Sequence, residues 1–157
     1  MRVGLGFDAH RFGGGGPVTL AGVVVSSEQG LLGTSDADVA AHAVADALLG
    51  AAALGDLGTH FPSSDPRWEG ADSMDLLKRV VTMLTEAGHR PGNVDVTIVS
   101  QSVRVAPHRA TMRTNLAAVL AIDVEAVSVK ATTTDHLGAI GRDEGVAAMA
   151  IAGLAEG

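Results

Sequence analysis

Hydrophobic residues form short β-rich runs near the start of the chain and recur at helical spacing further along. Residues 3–7 and 18–25 are two such β-rich runs, and the glycines of residues 13–16 lie between them. This pattern predicts two strands joined by a glycine-rich loop. Over residues 37–54 the apolar side chains return at the spacing of helical turns, which predicts a helix that ends at Gly55.

The later part of the chain shows the same two periodicities. They predict a helix from about residue 73 to a stop at Gly88, a strand over 94–100, a helix over 107–121 and a strand over 127–133. The final run, residues 145–154, fits either element, because its alanine content favours a helix while its length and glycine boundaries suit a strand. Residues 56–71 are too long and too polar for an idle connection, which marks them as a candidate functional loop.

No repeat or linker divides the 157 residues, so we expect a single domain over residues 1–157. The net charge is −7, from 11 Lys and Arg against 18 Asp and Glu, which argues against nucleic acid or an anionic membrane as a partner. The most apolar stretch, residues 37–57, contains three aspartates and a histidine, which excludes a membrane span. The N-terminus lacks the apolar core of a signal peptide, so a cytoplasmic location is expected.

A candidate metal site follows from the histidines, because the chain has no cysteine. Asp8 and His10 lie two residues apart on the first predicted strand, so both project from the same face. His42 lies on an otherwise apolar helix and would complete two imidazoles and one carboxylate with a fourth position free, the pattern of catalytic zinc. Asp46 follows one turn later and could orient the His42 ring. A core histidine with an ordinary hydrogen-bond partner and a surface carboxylate are the plain alternatives.

A second candidate site lies at the end of the strand predicted over residues 127–133. Thr132, Thr133 and Thr134 precede Asp135, which groups hydroxyls, backbone amides and a carboxylate. This grouping suits a phosphate cradle in which Asp135 binds a hard cation shared with phosphate oxygens. Ordinary β-propensity of threonine explains the run equally well.

Several motifs together resemble a known family. They are Gly-Phe-Asp-Ala-His-Arg-Phe at 6–12, Ser-Asp-Ala-Asp-Val at 35–39, the block 42–58, and Lys-Ala-Thr-Thr-Thr at 130–134. The sequence is similar to the 2-C-methyl-D-erythritol 2,4-cyclodiphosphate synthases of non-mevalonate isoprenoid biosynthesis, and the likeness covers nearly the whole chain.

The resemblance implies an α+β domain whose mixed β-sheet is covered on one face by helices, assembled as a homotrimer around the sheets with active sites between subunits. It implies a lyase that converts 4-diphosphocytidyl-2-C-methyl-D-erythritol 2-phosphate to 2-C-methyl-D-erythritol 2,4-cyclodiphosphate and releases CMP. The partner would be this small cytidine diphosphate, with no nucleic acid and no membrane.

The resemblance also assigns roles to individual positions. Asp8, His10 and His42 would bind Zn²⁺, Asp135 would bind a second divalent cation, Mg²⁺ or Mn²⁺, and Thr34 and Thr133 would be catalytic. Asp56 and Gly58 would hold the erythritol hydroxyls, and residues 61–65 would lie alongside. Residues 100–106 would bind the cytidine largely through backbone groups, and residues 132–135 would bind the phosphates. The full set of implied substrate-binding positions is Asp8, Ala9, His10, Thr34, Ser35, Asp56, Leu57, Gly58, Phe61, Pro62, Ser63, Ser64, Asp65, Ser100, Gln101, Ser102, Val103, Arg104, Val105, Ala106, Thr132, Thr133, Thr134, Asp135, Ala139 and Arg142.

The chain departs from the family pattern at a few positions. Thr34 stands where a histidine is usual, Ala139 where a large apolar residue lines the central trimer cavity, and Ser63 where an acidic residue is usual. Ala37 and Asp143 stand in place of glycine. Two other functions therefore compete with the synthase: a non-catalytic zinc-containing trimer that binds cytidine or isoprenoid diphosphates, and a zinc phosphoester hydrolase. No general base beside the proposed zinc ligands supports the hydrolase.

Overall fold

A five-stranded mixed sheet forms the centre of the molecule in the computed structural model, which describes residues 1–155. The strands are β1 (Arg2–Gly14), β2 (Val18–Leu20), β3 (Val23–Ser26), β4 (Gly30–Leu31), β5 (Arg90–Val99), β6 (Val127–Thr132) and β7 (Gly145–Ala155). The main sheet has the order β4-β1-β7-β5-β6, while β2 and β3 pair separately. Only β5 and β6 are parallel, and the other pairs are antiparallel.

The helices of the described chain lie between these strands in sequence. They are α1 (Val39–Ala52), α2 (Leu57–His60), α3 (Ser73–Glu86), α4 (Arg109–Leu120) and α5 (Gly138–Gly141). The fold is therefore α+β with a mixed sheet, as expected. No helix in the described part of the chain is both long enough and apolar enough to cross a membrane.

Helix α1 packs directly on β1, and two glycines make this close approach possible. A Cβ atom at Gly4 would lie 1.9 Å from the carbonyl oxygen of Ala47, and one at Gly6 would lie 1.9 Å from that of Ala43. Only glycine fits at such separations. Most of α1 is consequently buried, including Val44, Leu48 and Leu49.

The opposite face of β1 and β7 exposes large hydrophobic side chains. Val3, Leu5 and Phe7 alternate with the two glycines that face α1, so they point away from the helices. Met149 and Ile151 are their neighbours on β7, directly opposite Phe7 and Leu5. We call these five residues the apolar stripe. Their side chains are 43 to 67% exposed, which is unusual for a contiguous apolar set on a monomer.

Asp38 caps α1 and ties it to the β2–β3 hairpin. Its fully buried carboxylate accepts hydrogen bonds from the backbone N–H groups of Ala40 and Ala41 in the first turn of α1. It also accepts from Ala21 and Gly22, both at 2.8 Å, in the turn between β2 and β3. One side chain thus satisfies four backbone donors from two elements.

Several sequence predictions change in detail. The run 18–25 is a hairpin rather than one strand, because Ala21 and Gly22 adopt positive φ and reverse the chain. The first strand continues to Gly14, so part of the glycine-rich segment is strand. Residues 145–154 form a strand, which resolves the open choice there. The candidate loop 56–71 contains α2 and a short 3₁₀ turn, Pro66–Trp68.

Candidate active site

Asp8, His10 and His42 converge where β1 meets α1. Asp8 and His10 follow Gly6 at alternate positions of β1, so they share the face on which α1 packs, and His42 lies next to Ala43 on that helix. Asp8 Oδ2 lies 2.9 Å from His42 Nδ1 and 3.1 Å from His10 Nε2. One ligand atom from each residue lies within 4.8 Å of the other two. The predicted grouping of these three residues is confirmed.

The outer nitrogen of each imidazole is held by the surrounding protein. His10 Nδ1 lies 2.5 Å from the carbonyl oxygen of Leu32, which can only accept, so Nδ1 carries the proton. In the neutral ring this leaves the lone pair on His10 Nε2, which faces Asp8, and a proton gained there would be donated to the Asp8 carboxylate. His42 Nε2 lies 2.8 Å from the hydroxyl of Ser73 and 3.2 Å from that of Ser35.

The electrostatics of the cluster favour positive charge between the three groups. Burial alone would raise the pKa of Asp8, but hydrogen bonds with His10 and His42 outweigh it and hold the pKa well below its usual range. The hydrogen bond with Asp8 raises the pKa of His10 above its ordinary value, against the opposing effect of burial. The site thus binds a proton readily, and a metal cation would satisfy the same groups.

The cluster opens into a cavity of about 220 Å³ that is lined by both polar and apolar side chains. Besides the cluster, the polar lining residues are Thr34, Ser35, Asp46 and Ser63. The apolar lining residues are Leu57, Phe61, Trp68 and Leu76. A ligand in this cavity would therefore meet charged and hydroxyl groups as well as hydrocarbon surface.

Trp68 and Leu76 were not among the predicted site residues. Phe61 meets the Trp68 ring edge-on, with centroids 5.0 Å apart. The guanidinium groups of Arg67 and Arg79 each lie 5.5 Å from the centroid of the Trp68 ring. The signal for this position was available, since Trp68 is the only tryptophan and lies in the loop singled out above.

The loop after α1 supplies most of the other predicted erythritol contacts. Asp56 caps α2, and hydrogen bonds from the Thr59 side chain and backbone lower the pKa of its carboxyl. Thr34 and Ser63 line both the main cavity and an adjoining cleft, which Ser64 and Asp65 also line. Leu57, Phe61, Ser63 and Thr34 therefore lie at the cavity beside the cluster, and Ser64 and Asp65 lie at the adjoining cleft.

The interpretation of Asp46 was wrong. It lies on the cavity side of α1 with His42, as its spacing suggested, but its carboxylate accepts a 2.7 Å hydrogen bond from the backbone N–H of Leu57. The His42 nitrogens instead contact Asp8, Ser35 and Ser73. Burial, ahead of all other causes, raises the pKa of Asp46. Asp46 orders the start of α2 rather than the imidazole.

The predicted nucleotide and phosphate residues form a second group at one edge of the sheet. The Ser100 N–H donates to the carbonyl oxygen of Thr132, so residues 100–106 begin beside residues 132–135. The His136 N–H donates to Gln101 Oε1, and Ser102 Oγ donates to Asp143 at 2.7 Å. None of residues 100–106 or 132–135 lines the cavity at the His-Asp cluster.

The remaining predicted residues lie close to this second group. Asp135 has positive φ, and its N–H donates to Thr133 Oγ1. Ala139 lies in α5, and Arg142 pairs with Glu144 at 2.6 Å just before β7. Within one chain, the predicted site is thus divided into two separate groups.

Comparisons of the sequence with known proteins show which family the chain belongs to. A family model described as the YgbB family matches residues 1–155. The chain belongs to the YgbB family. It is 52% identical over 155 residues to 2-C-methyl-D-erythritol 2,4-cyclodiphosphate synthase from Symbiobacterium thermophilum, covering 99% of each chain. The predicted resemblance is confirmed, and with it the prediction that the chain is an enzyme.

Solved structures agree with the YgbB assignment. The bifunctional IspDF of Campylobacter jejuni matches with a TM-score of 0.94 and 42% identity; the match covers 98% of this chain and 42% of that longer one. A complex of Plasmodium falciparum IspF with CDP matches with a TM-score of 0.85 and 29% identity, covering 99% and 96% of the two chains. The same fold therefore binds a cytidine nucleotide in a relative.

Proposed function

We propose that this YgbB-family enzyme converts 4-diphosphocytidyl-2-C-methyl-D-erythritol 2-phosphate to 2-C-methyl-D-erythritol 2,4-cyclodiphosphate. The 2-phosphate oxygen attacks the β-phosphorus, the bond from that phosphorus to the bridging oxygen breaks, and CMP leaves with that oxygen. The observation that carries the proposal is the convergence of Asp8, His10 and His42 at a cavity in a chain 52% identical to a named synthase.

The residues of the cluster fit a zinc ion. In the neutral ring the lone pair of His10 Nε2 faces a carboxylate oxygen at 3.1 Å, and such a pair of acceptors needs a proton or a metal cation between them. Asp8, His10 and His42 would hold Zn²⁺, which would supply positive charge to a phosphate oxygen. Asp135 offers the carboxylate oxygen that Mg²⁺ or Mn²⁺ prefers, and it follows three hydroxyl groups suited to phosphate.

The chain's own side chains would act by positioning. Residues 100–106 would hold the cytidine, residues 132–134 its phosphates, and residues 56–58 and 61–65 the erythritol. The hydroxyl groups of Thr34 and Thr133 would donate hydrogen bonds to phosphate oxygens as charge builds up on them. Phosphoryl transfer needs little more than alignment and charge neutralisation, so no protein nucleophile is required.

A homotrimer with active sites between subunits would join the two groups of residues. One chain keeps residues 100–106 and 132–135 apart from the His-Asp cavity, so a substrate that touches both groups would need them from neighbouring copies. The apolar stripe on β1 and β7 is a surface that such copies would bury. Assembly around the sheets would satisfy both observations.

The direct test is a product assay with protein fully loaded with zinc, added Mg²⁺ and the authentic substrate. We expect CMP and the cyclic diphosphate in equal amounts, both followed by mass spectrometry. CMP without the cyclic product would point to the hydrolase instead. An absence of CMP from the loaded protein would rule out the synthase.

The second candidate is the non-catalytic trimer that binds cytidine or isoprenoid diphosphates. It is favoured by one observation: Thr34 lines both clefts of the site, where the resemblance places a histidine. This candidate predicts CMP or CDP binding without turnover in the same assay.

A further inference from the structure

A chain of hydrogen bonds runs from His42 away from the cavity to a carboxylate behind it. His42 Nε2 lies 2.8 Å from Ser73 Oγ. The Ser73 hydroxyl donates in turn to Asp36 Oδ1, and the Ser73 backbone N–H donates to Asp36 Oδ2 at 3.2 Å. Ser73 is 1% exposed, so water does not compete for its hydroxyl.

The direction of these hydrogen bonds follows from the groups involved. The Asp36 carboxylate can only accept, and the Ser73 hydroxyl has a single proton, which it gives to Asp36. Ser73 Oγ can then only accept from His42, so Nε2 of His42 must carry a proton. The lone pair of a neutral His42 ring is thereby placed on Nδ1, which faces Asp8 at 2.9 Å.

The neighbouring hydroxyl of Ser35 does not fix this direction. Its distance to His42 Nε2 is 3.2 Å, longer than that of Ser73, and it makes no hydrogen bond to a carboxylate. It also accepts from the backbone N–H of Ala37. The Ser35 proton can therefore point toward His42 Nε2 or away from it, whereas the Ser73 proton is donated to Asp36.

We propose that Asp36 and Ser73 are positioning residues for the metal ligand His42: their hydrogen-bond relay holds the ring as the Nε2–H tautomer and presents Nδ1 to the cation. The proposal deepens the proposed function, since it rests on a metal at the cluster of Asp8, His10 and His42. Metal-bound imidazoles commonly donate their second N–H to an oxygen acceptor, which fixes the ring and strengthens the ligand. Here a serine hydroxyl transmits the effect of the carboxylate.

Two substitutions break the relay in different ways. In Asp36→Asn, the amide N–H₂ can donate to Ser73 Oγ, which frees the serine proton to point at His42 Nε2 and favours the wrong tautomer. In Ser73→Ala, the Nε2–H loses the buried acceptor altogether. Both changes should weaken zinc binding by about 10- to 100-fold, the range observed when such supporting partners are removed.

The test measures zinc affinity by chelator competition and the tautomer of His42 by ¹⁵N NMR of the zinc-loaded wild-type protein. Asp72→Asn is the matched control, because Asp72 caps the same helix, α3, through Met74 and Asp75 but is not among the hydrogen-bond partners of the His42 ring, which are Asp8, Ser35 and Ser73. We expect its zinc affinity to stay within about twofold of wild type. Circular dichroism confirms that each variant tested is folded.

The outcomes separate this proposal from the proposed function. Wild-type zinc affinity in both Asp36→Asn and Ser73→Ala would overturn the relay while leaving the zinc site intact. A proton found on Nδ1 rather than Nε2 of His42 in the zinc-loaded wild-type protein would overturn it without any variant. If wild-type protein binds no zinc, the zinc site of the proposed function itself fails.

Discussion

Gly6 of β1 lies against the carbonyl oxygen of Ala43 in α1, so closely that a Cβ atom on Gly6 would be 1.9 Å from that oxygen. This contact sets the distance between the strand that carries Asp8 and His10 and the helix that carries His42. The candidate active site therefore depends on a backbone packing contact that lies two residues from Asp8 and one residue from His42.

Gly6→Ala should push α1 away from β1. Because the nearest atoms are backbone and cannot rotate aside, we expect a loss of about 3 kcal/mol or more in the free energy of unfolding, measured by urea denaturation. Gly50→Ala is the matched control on α1, since a Cβ there meets nothing within 4 Å, and it should stabilise the protein by about 0.5–1 kcal/mol. Equal stability of the two variants would contradict the packing argument.

Asp38→Asn should destabilise the protein through unsatisfied backbone donors. The carboxylate accepts from four backbone N–H groups, three of them on buried residues, and an amide replaces one accepting oxygen by a donor. We expect a loss of about 2–3 kcal/mol in unfolding free energy, in the range for a buried group left without its partner. Asp72→Asn, at the exposed cap of α3, should cost about 1 kcal/mol or less. A smaller loss at Asp38 than at Asp72 would argue against the buried cap.

Local patterns in the sequence predict α1, α3 and the sharing of one strand face by Asp8 and His10. They miss the β2–β3 hairpin, because the chain reverses at Ala21 within a continuous hydrophobic run, and that turn is held by Asp38 from elsewhere. Long-range hydrogen bonds of this kind leave no mark on local periodicity.

The same reason explains the misassigned partner of His42. The spacing from His42 to Asp46 is a property of one helix and is visible in the sequence. The actual partner, Ser73, comes 31 residues later from the start of α3, and only the packing of α3 on α1 brings it there.

His42→Ala should empty the proposed zinc site. Removing one imidazole leaves Asp8 and His10, too few ligands for a tightly held ion. The zinc content measured by elemental analysis after dialysis should fall from one zinc per chain to nearly none. His89→Ala, which lies outside the cluster, should retain full zinc. Unchanged zinc in His42→Ala would remove His42 from the ligand set.

Leu5→Asp should prevent formation of the proposed homotrimer. Leu5 lies in the middle of the apolar stripe and is 67% exposed in the single chain, so burial of a carboxylate there would oppose assembly. Light scattering should report a monomer. This monomer should release little CMP in the product assay, and its far-ultraviolet circular dichroism spectrum should match that of the wild type. Val24→Asp places the same charge on another exposed apolar residue, on β3, and should leave the trimer intact. A fully active monomer would contradict active sites shared between subunits.

Thr34→Ala should lower turnover, while Thr34→His should keep it at or above the wild-type level. Thr34 lines both clefts beside the cluster, as Ser63 does, and its hydroxyl can donate one hydrogen bond to a phosphate oxygen. Loss of one preorganised donor to developing charge costs about 3 kcal/mol, or roughly two orders of magnitude in rate. An imidazole restores a donor with longer reach and, when protonated, a positive charge.

Rates of CMP release should be compared at equal zinc content. Thr82→Ala is the control, because the Thr82 hydroxyl donates to the Lys78 carbonyl on the exposed side of α3. Wild-type turnover in Thr34→Ala would show that the proposed Zn²⁺ and Mg²⁺ ions and the remaining hydroxyls neutralise the phosphate charge without Thr34.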